Sequence, residues 1–130
     1  MFTKTTHHIT VTAIPTFLRE HSDPGEEHYV WAYTIQVENH GDLPVQLLDR
    51  HWVITDAIGQ TQEVRGPGVV GETPTIKPGQ AFQYTSGTSL PTPSGIMLGS
   101  YGMVNARGER FEIDIPAFSL DSPYFTPTLN

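Results

Sequence analysis

The residues of this chain that look most like a chemical device are Arg65-Gly66-Pro67-Gly68-Val69-Val70-Gly71-Glu72, which spell G-x-G-x-x-G. In dinucleotide sites that spacing lets the backbone close on a pyrophosphate, and the N-terminus of a following helix holds the charge. Here Gly71 runs into Glu72-Thr73-Pro74-Thr75-Ile76-Lys77-Pro78. Two prolines and several β-branched residues in that span do not make a helix. Pro67 removes one N–H that an anion nest would use. Glu72 repels an anion, and Arg65 only partly offsets it. Three readings stand side by side: a partner-binding loop, a structural crossing, and an anion site. The partner reading rests on Val69-Val70, an apolar pair expected to lie in an exposed connection, where recognition is commonly placed.

Other chemistry is thin. Six histidines are present, with no H-x-H or H-x-x-x-H pair. His7 and His8 are adjacent, so on a strand they would face opposite sides and could not chelate together. Only distant residues such as His28, His40 and His51 could assemble with a carboxylate, and no dedicated metal site or cofactor is expected. Ser86, Ser89 and Ser94 lie beside glycines or prolines, but none sits in a G-x-S-x-G elbow. Asp49-Arg50-His51 places a histidine near a carboxylate, yet successive strand residues diverge. No catalytic set emerges, so no enzyme activity is expected. Arg50, between Leu48 and Trp52, is read as a stem packed on Trp52 with its head in water or paired to a carboxylate. The row Tyr29, Trp31, Tyr33 is read as sheet packing rather than a ligand platform.

The elements that carry these residues are strands. Eleven prolines and 12 glycines punctuate short alternating segments along the 130 residues. The alternation predicts strands at 9–14, 28–39, 45–56, 60–64, 81–85, 96–105 and 109–118. Along 28–39, Tyr29, Trp31, Tyr33, Ile35 and Val37 share one face. Within 45–56 the apolar parity switches from Val45 and Leu47 to Leu48, Trp52 and Ile54, which predicts a β-bulge near Leu47-Leu48. The prolines of 90–95 predict a rigid crossing. Ala106-Arg107-Gly108 predicts a hairpin turn, with Phe111, Ile113 and Ile115 facing inward. About seven antiparallel strands and no helix predict a single all-β domain, a two-sheet β-sandwich. Its core spans about 5–120, and 121–130 forms a C-terminal tail.

Composition bounds the partners. Seven Lys+Arg against 14 Asp+Glu, a net charge of −7, give no basic footprint for nucleic acid. The N-terminal residues show no apolar signal segment, and no run approaches a membrane span. With no cysteine, disulfides and thiolate chemistry are excluded, in keeping with a reducing compartment. The expectation is a cytoplasmic protein with no membrane partner.

The motifs in order resemble one family. Asn39 followed by Pro44-Val45-Gln46-Leu47-Leu48-Asp49-Arg50-His51-Trp52, then 65–72, Tyr84-Thr85-Ser86-Gly87, Pro91-Thr92-Pro93-Ser94-Gly95 and Ile115-Pro116-Ala117-Phe118-Ser119-Leu120, is similar to the ApaG domain. The likeness covers about 5–120. Thr88 departs from the cysteine expected there in some members. The resemblance implies a fibronectin type III or immunoglobulin-like sandwich in a small bacterial cytoplasmic protein. It also implies a genetic link to cobalt resistance and magnesium efflux, and a gene often found near a diadenosine tetraphosphate hydrolase. Similar eukaryotic domains, appended to an F-box protein and to a polymerase-delta-interacting protein, imply protein recognition. Gly66, Gly68 and Gly71 match the family's proposed pyrophosphate-binding glycines. The expected function is a non-enzymatic interaction module that binds an unidentified protein partner through Arg65–Pro74, helped by Pro91–Gly95. Long strands with polar outer faces also predict a homodimer by edge pairing. Pyrophosphate or dinucleoside polyphosphate binding at Gly66–Gly71 is the alternative.

Overall fold

A computed structural model describes residues 1–124. Nine strands run β1 (Phe2–Thr6), β2 (Ile9–Phe17), β3 (Tyr29–Asn39), β4 (Val45–Asp56), β5 (Thr61–Pro67), β6 (Thr75–Ile76), β7 (Ala81–Leu90), β8 (Gly95–Asn105) and β9 (Arg110–Leu120). The first sheet has the order β1-β2-β3-β7. The second has the order β5-β4-β8-β9, with β6 also paired to β4. All the pairs are antiparallel. The expected two-sheet sandwich is therefore present. It has two strands beyond the seven expected, β1 and the two-residue β6, and two short 3-10 turns at Arg19–His21 and Pro24–Glu26.

Alternation puts β3 through the middle of the core. Tyr29, Trp31, Tyr33, Ile35 and Val37 are all buried, because a period of two directs every second side chain to one face. Asn39 continues that buried row. Its Nδ2 donates to the carbonyls of Leu43 (2.8 Å) and Ile76 (2.9 Å), and its Oδ1 accepts from the Gly41 N–H (2.9 Å). A buried amide satisfied in this way fastens the crossing from β3 to β4 without an unpaired polar group. Trp52, Tyr33 and Phe118 interlock between the sheets, with ring centroids 5.3 Å (Tyr33–Trp52) and 5.9 Å (Trp52–Phe118) apart.

Several boundaries moved. β2 continues through Pro15 to Phe17, where a turn-rich segment was expected, and β7 continues past Thr85 to Leu90. Pairing with β3 extends both strands beyond what local residue preference suggests. His7 and His8 form the two-residue turn of the β1–β2 hairpin, with φ of 49° and 66°. Histidine tolerates this left-handed region better than most residues do. Residues 91–94 carry the chain from β7 in one sheet to β8 in the other, as the prolines predict. The start of the expected tail is docked. The Trp31 indole N–H donates to Asp121 O (2.7 Å) and the Ser122 hydroxyl to Pro93 O (2.6 Å). The rest of that tail, 125–130, lies outside the described residues.

The bulge expected near Leu47-Leu48 is present: the β4–β8 register shifts between Leu47 and Asp49. Val45 and Leu47 are buried before it, and Trp52, Ile54 and Asp56 after it. An extra residue reverses which parity faces inward. Arg50 therefore shares the inward face with Trp52.

Candidate functional site

The G-x-G-x-x-G segment divides into two parts with different jobs. Arg65, Gly66 and Pro67 belong to β5, paired with His51, Arg50 and Asp49 of β4. Gly68 to Glu72 form the loop. The Gly68 N–H donates to Leu48 O (2.8 Å), so the loop is fastened to the carbonyl of the bulged residue. Val69 and Glu72 exchange both backbone hydrogen bonds, at 2.8 and 2.9 Å. Between them Val70 and Gly71 have φ of 44° and 80°. This is a two-residue turn with both central φ values positive, as in type I′. Further ties fix the return: Leu47 N–H to Pro74 O (3.0 Å) and Gln46 Nε2 to Thr73 O (3.1 Å).

Each motif glycine has a packing reason. A Cβ on Gly66 would lie 3.0 Å from both terminal nitrogens of Arg50, so this glycine makes the seat for a guanidinium. A Cβ on Gly68 would meet the Glu72 carbonyl oxygen at 2.2 Å, so the turn can close only over glycine. Gly71 has open space around it and is required by its φ of 80° alone. No helix follows; the next element is β6. The amides of Gly68, Val69 and Glu72 are consumed internally, which leaves those of Val70 and Gly71 without a backbone acceptor among the described residues.

The two valines, expected as one exposed pair, are opposites. Val69 is 0% exposed and part of the core, whereas Val70 is 54% exposed. The reversal follows from the turn: Val69 is its last paired residue and points back between the sheets, and Val70 is its corner. Of the two valines, only Val70 offers exposed apolar surface. A β-branched residue at φ 44° is also strained, at a cost of about 1–2 kcal/mol relative to ordinary backbone.

Beside the turn, a slot opens between β5 and β7. Two adjoining cavities of about 360 and 340 Å³ lie along it, and Arg50, Tyr33, Trp52 and Ser86 line both. Val69, Val70 and Gly71 form one end wall. The Arg50 head does not reach a carboxylate, one of the two partners expected for it. Its Nη1 donates to Pro67 O (2.9 Å) and Gly68 O (3.0 Å), tying β4 to the loop. Burial pushes the Tyr33 phenol above its ordinary value, with Ser86 and the Arg50 cation pulling the other way. Burial also raises Tyr84 and Tyr101, whose hydroxyls bond to each other. Arg50 lies on the strand face of Trp52, as the sequence suggests; the bonds of its head to the loop carbonyls were not expected, because they depend on the long-range pairing of β4 with β5.

Another hollow, about 450 Å³, lies at the end of the sandwich beside the His7-His8 turn, and its lining mixes Asp42 and Glu109 with Arg107 and Arg110. Two other histidines meet carboxylates singly: His40 with Glu38 (3.1 Å) and His51 with Glu63 (3.3 Å). Among the described residues no group of three or more His, Asp or Glu is placed to hold a metal ion, and no helix is long and apolar enough to cross a membrane.

Comparison with known proteins places this geometry. A family model described as the ApaG domain matches residues 19–105. Protein ApaG of Paramagnetospirillum magneticum is 59% identical over 130 residues, 100% of each chain. Protein ApaG of Rhodospirillum centenum is 60% identical over 124 residues, 95% of each. A crystal structure of a Bordetella pertussis protein titled as an ApaA protein superposes with a TM-score of 0.87 at 47% identity. It covers 90% of this chain and 95% of that one.

Proposed function

The chain belongs to the ApaG domain family, and on that premise we propose that it is a non-enzymatic module that recognises a protein partner through the corner of the Gly68–Glu72 turn. The observation that carries this reading is Val70. It is apolar, exposed and held at a strained φ on a turn anchored to the bulge of β4. Strain of this kind persists where the surroundings over-determine it, and it concentrates at recognition and catalytic positions. A rigid corner also loses little conformational freedom on binding. The non-enzymatic reading rests on the sequence, in which Ser86, Ser89 and Ser94 lie outside any G-x-S-x-G elbow.

The family's implied link to cobalt resistance and magnesium efflux then operates through that partner in the cytoplasm, on a fibronectin type III or immunoglobulin-like scaffold. Homodimerisation is assigned to β7. Its ten residues contain neither charge nor proline, whereas β1 carries Lys4, β5 carries Glu63 and Pro67, and β9 carries Asp114 and Pro116. Charges and prolines are the usual guards of a sheet edge.

The test is capture with the native protein and with Val70→Asp, after both have been shown to melt alike. The partner should be retained by the first and lost by the second; equal capture removes Val70 from the interface. The competing reading, pyrophosphate or a dinucleoside polyphosphate on the motif, has the free amides of Val70 and Gly71 in its favour. Millimolar pyrophosphate should then move the Gly66, Gly68 and Gly71 amide resonances, and unmoved resonances discard it.

A further inference from the structure

We infer that the slot between β5 and β7 is a carboxylate-binding subsite, with the open edge of the Arg50 guanidinium as its receptor. This goes beyond recognition at Val70 and stands whether or not that corner binds a partner. Arg50 is turned inward by the bulge, and its head lies flat over Gly66, where no side chain intervenes. Nη1 is spent on the carbonyls of Pro67 and Gly68. Nε–H and Nη2 have no acceptor among the described residues, and no carboxylate lies within ion-pair distance of the head. No buried side-chain nitrogen is left without a partner among the described residues, so these two donors stay accessible from the slot and free to take a ligand. The Nε and Nη2 donors together form a planar fork that matches the two oxygens of a carboxylate.

The surroundings complete the match. Across the slot from Arg50 stand Tyr33 and Ser86, cross-strand partners in the first sheet, and both line the two cavities that Arg50 divides. Their hydroxyls supply further donors, and Trp52 forms an apolar wall. One fork with two hydroxyls suits a single planar negative charge. A phosphate, with more oxygens and more charge, would call on a nest of amides, and here three of the loop's amides are already used. The carboxylate can come from a free small acid or from the side chain of an extended polypeptide.

The experiment follows the Arg50 Nε–H and the Gly66 and Ser86 amides by NMR on the full chain. Three probes are titrated: succinate, an acetylated extended peptide with one glutamate, and inorganic phosphate. Millimolar succinate or peptide should shift all three signals. Arg50→Lys, which keeps the charge and loses the fork, should weaken binding about tenfold, and Arg50→Gln should abolish it. Should Arg50→Gln fail to fold, the lysine variant alone decides. Ile58→Asp, at an exposed position that lines neither cavity, should leave the shifts in place. Peptide binding at least about tenfold tighter than succinate assigns the carboxylate to a polypeptide, and equal or weaker binding assigns it to a free acid. Absence of shifts with both carboxylates, response to phosphate only, or equal affinity in Arg50→Lys overturns the proposal.

Discussion

The two long sides of the sandwich are built differently. On one, β1 and β2 pack directly against β9. Phe2 lies against Phe118 with ring centroids 6.1 Å apart, the Asp114 N–H donates to Thr6 Oγ1 (3.3 Å), and Lys4 pairs with Asp114 (3.0 Å) across the edges. On the other, β5 and β7 stand apart. The space is bordered by an arginine, hydroxyl groups and a strained turn. The first side is shut by apolar contact, which stabilises without regard to direction. The second keeps directional donors at a partly wet opening, an arrangement suited to binding and worth little to stability. The same contrast recurs within two neighbouring residues, since Val69 is core and Val70 is surface.

The contrast breaks most visibly at the valines. Val69→Asp places a carboxylate in the core and should cost more than about 4 kcal/mol, enough to unfold much of the population. Val70→Asp should stay within about 0.5 kcal/mol of native in the same urea titration. Next come the two sides themselves. Phe118→Ala should cost about 3–5 kcal/mol, and Arg50→Met only about 1 kcal/mol, the net worth of hydrogen bonds to half-exposed carbonyls. Comparable losses in chemical denaturation would mean that the open side is structural after all.

Smaller effects sharpen the picture. Tyr84→Phe leaves the Tyr101 hydroxyl without its partner and should cost about 1–3 kcal/mol. Burial raises Tyr33, Tyr84 and Tyr101 in the fold. Their contribution is therefore complete below the ordinary tyrosine value of about 10 and lost as pH rises beyond it. Melting temperature should fall above that pH, and less steeply in the Tyr84→Phe variant. Gly68→Ala, with φ of 60° and a carbonyl in the way, should cost about 2 kcal/mol. Gly66→Ala should cost less, because a side-chain guanidinium can shift. Finally, Val70→Gly should raise stability by up to about 1 kcal/mol by releasing the positive-φ strain. A melt that does not rise would show the corner to be unstrained.

Much of the fold is legible in the chain because strand alternation is a local property. The row Tyr29 to Val37 shows which face is buried, and the parity switch at Leu47-Leu48 shows the bulge. β1 escaped notice because Phe2-Thr3-Lys4-Thr5-Thr6 has little alternation of its own and is held by pairing with β2. The motif misled for a related reason. G-x-G-x-x-G records where glycine is needed, and the needs here are a guanidinium seat, a closing carbonyl and a left-handed turn, all set by neighbours distant in sequence.

What the residues determine by themselves is the all-β class, the punctuation, the core face of β3 and the family, since each rests on local pattern or on motif order. Tertiary structure decided which valine is buried, where the Arg50 head points and which edge is unguarded. Those depend on the register of β4 against β5 and β8 and on how two sheets close at one side and not the other. Register and closure are set by long-range pairing, which no short window of sequence contains.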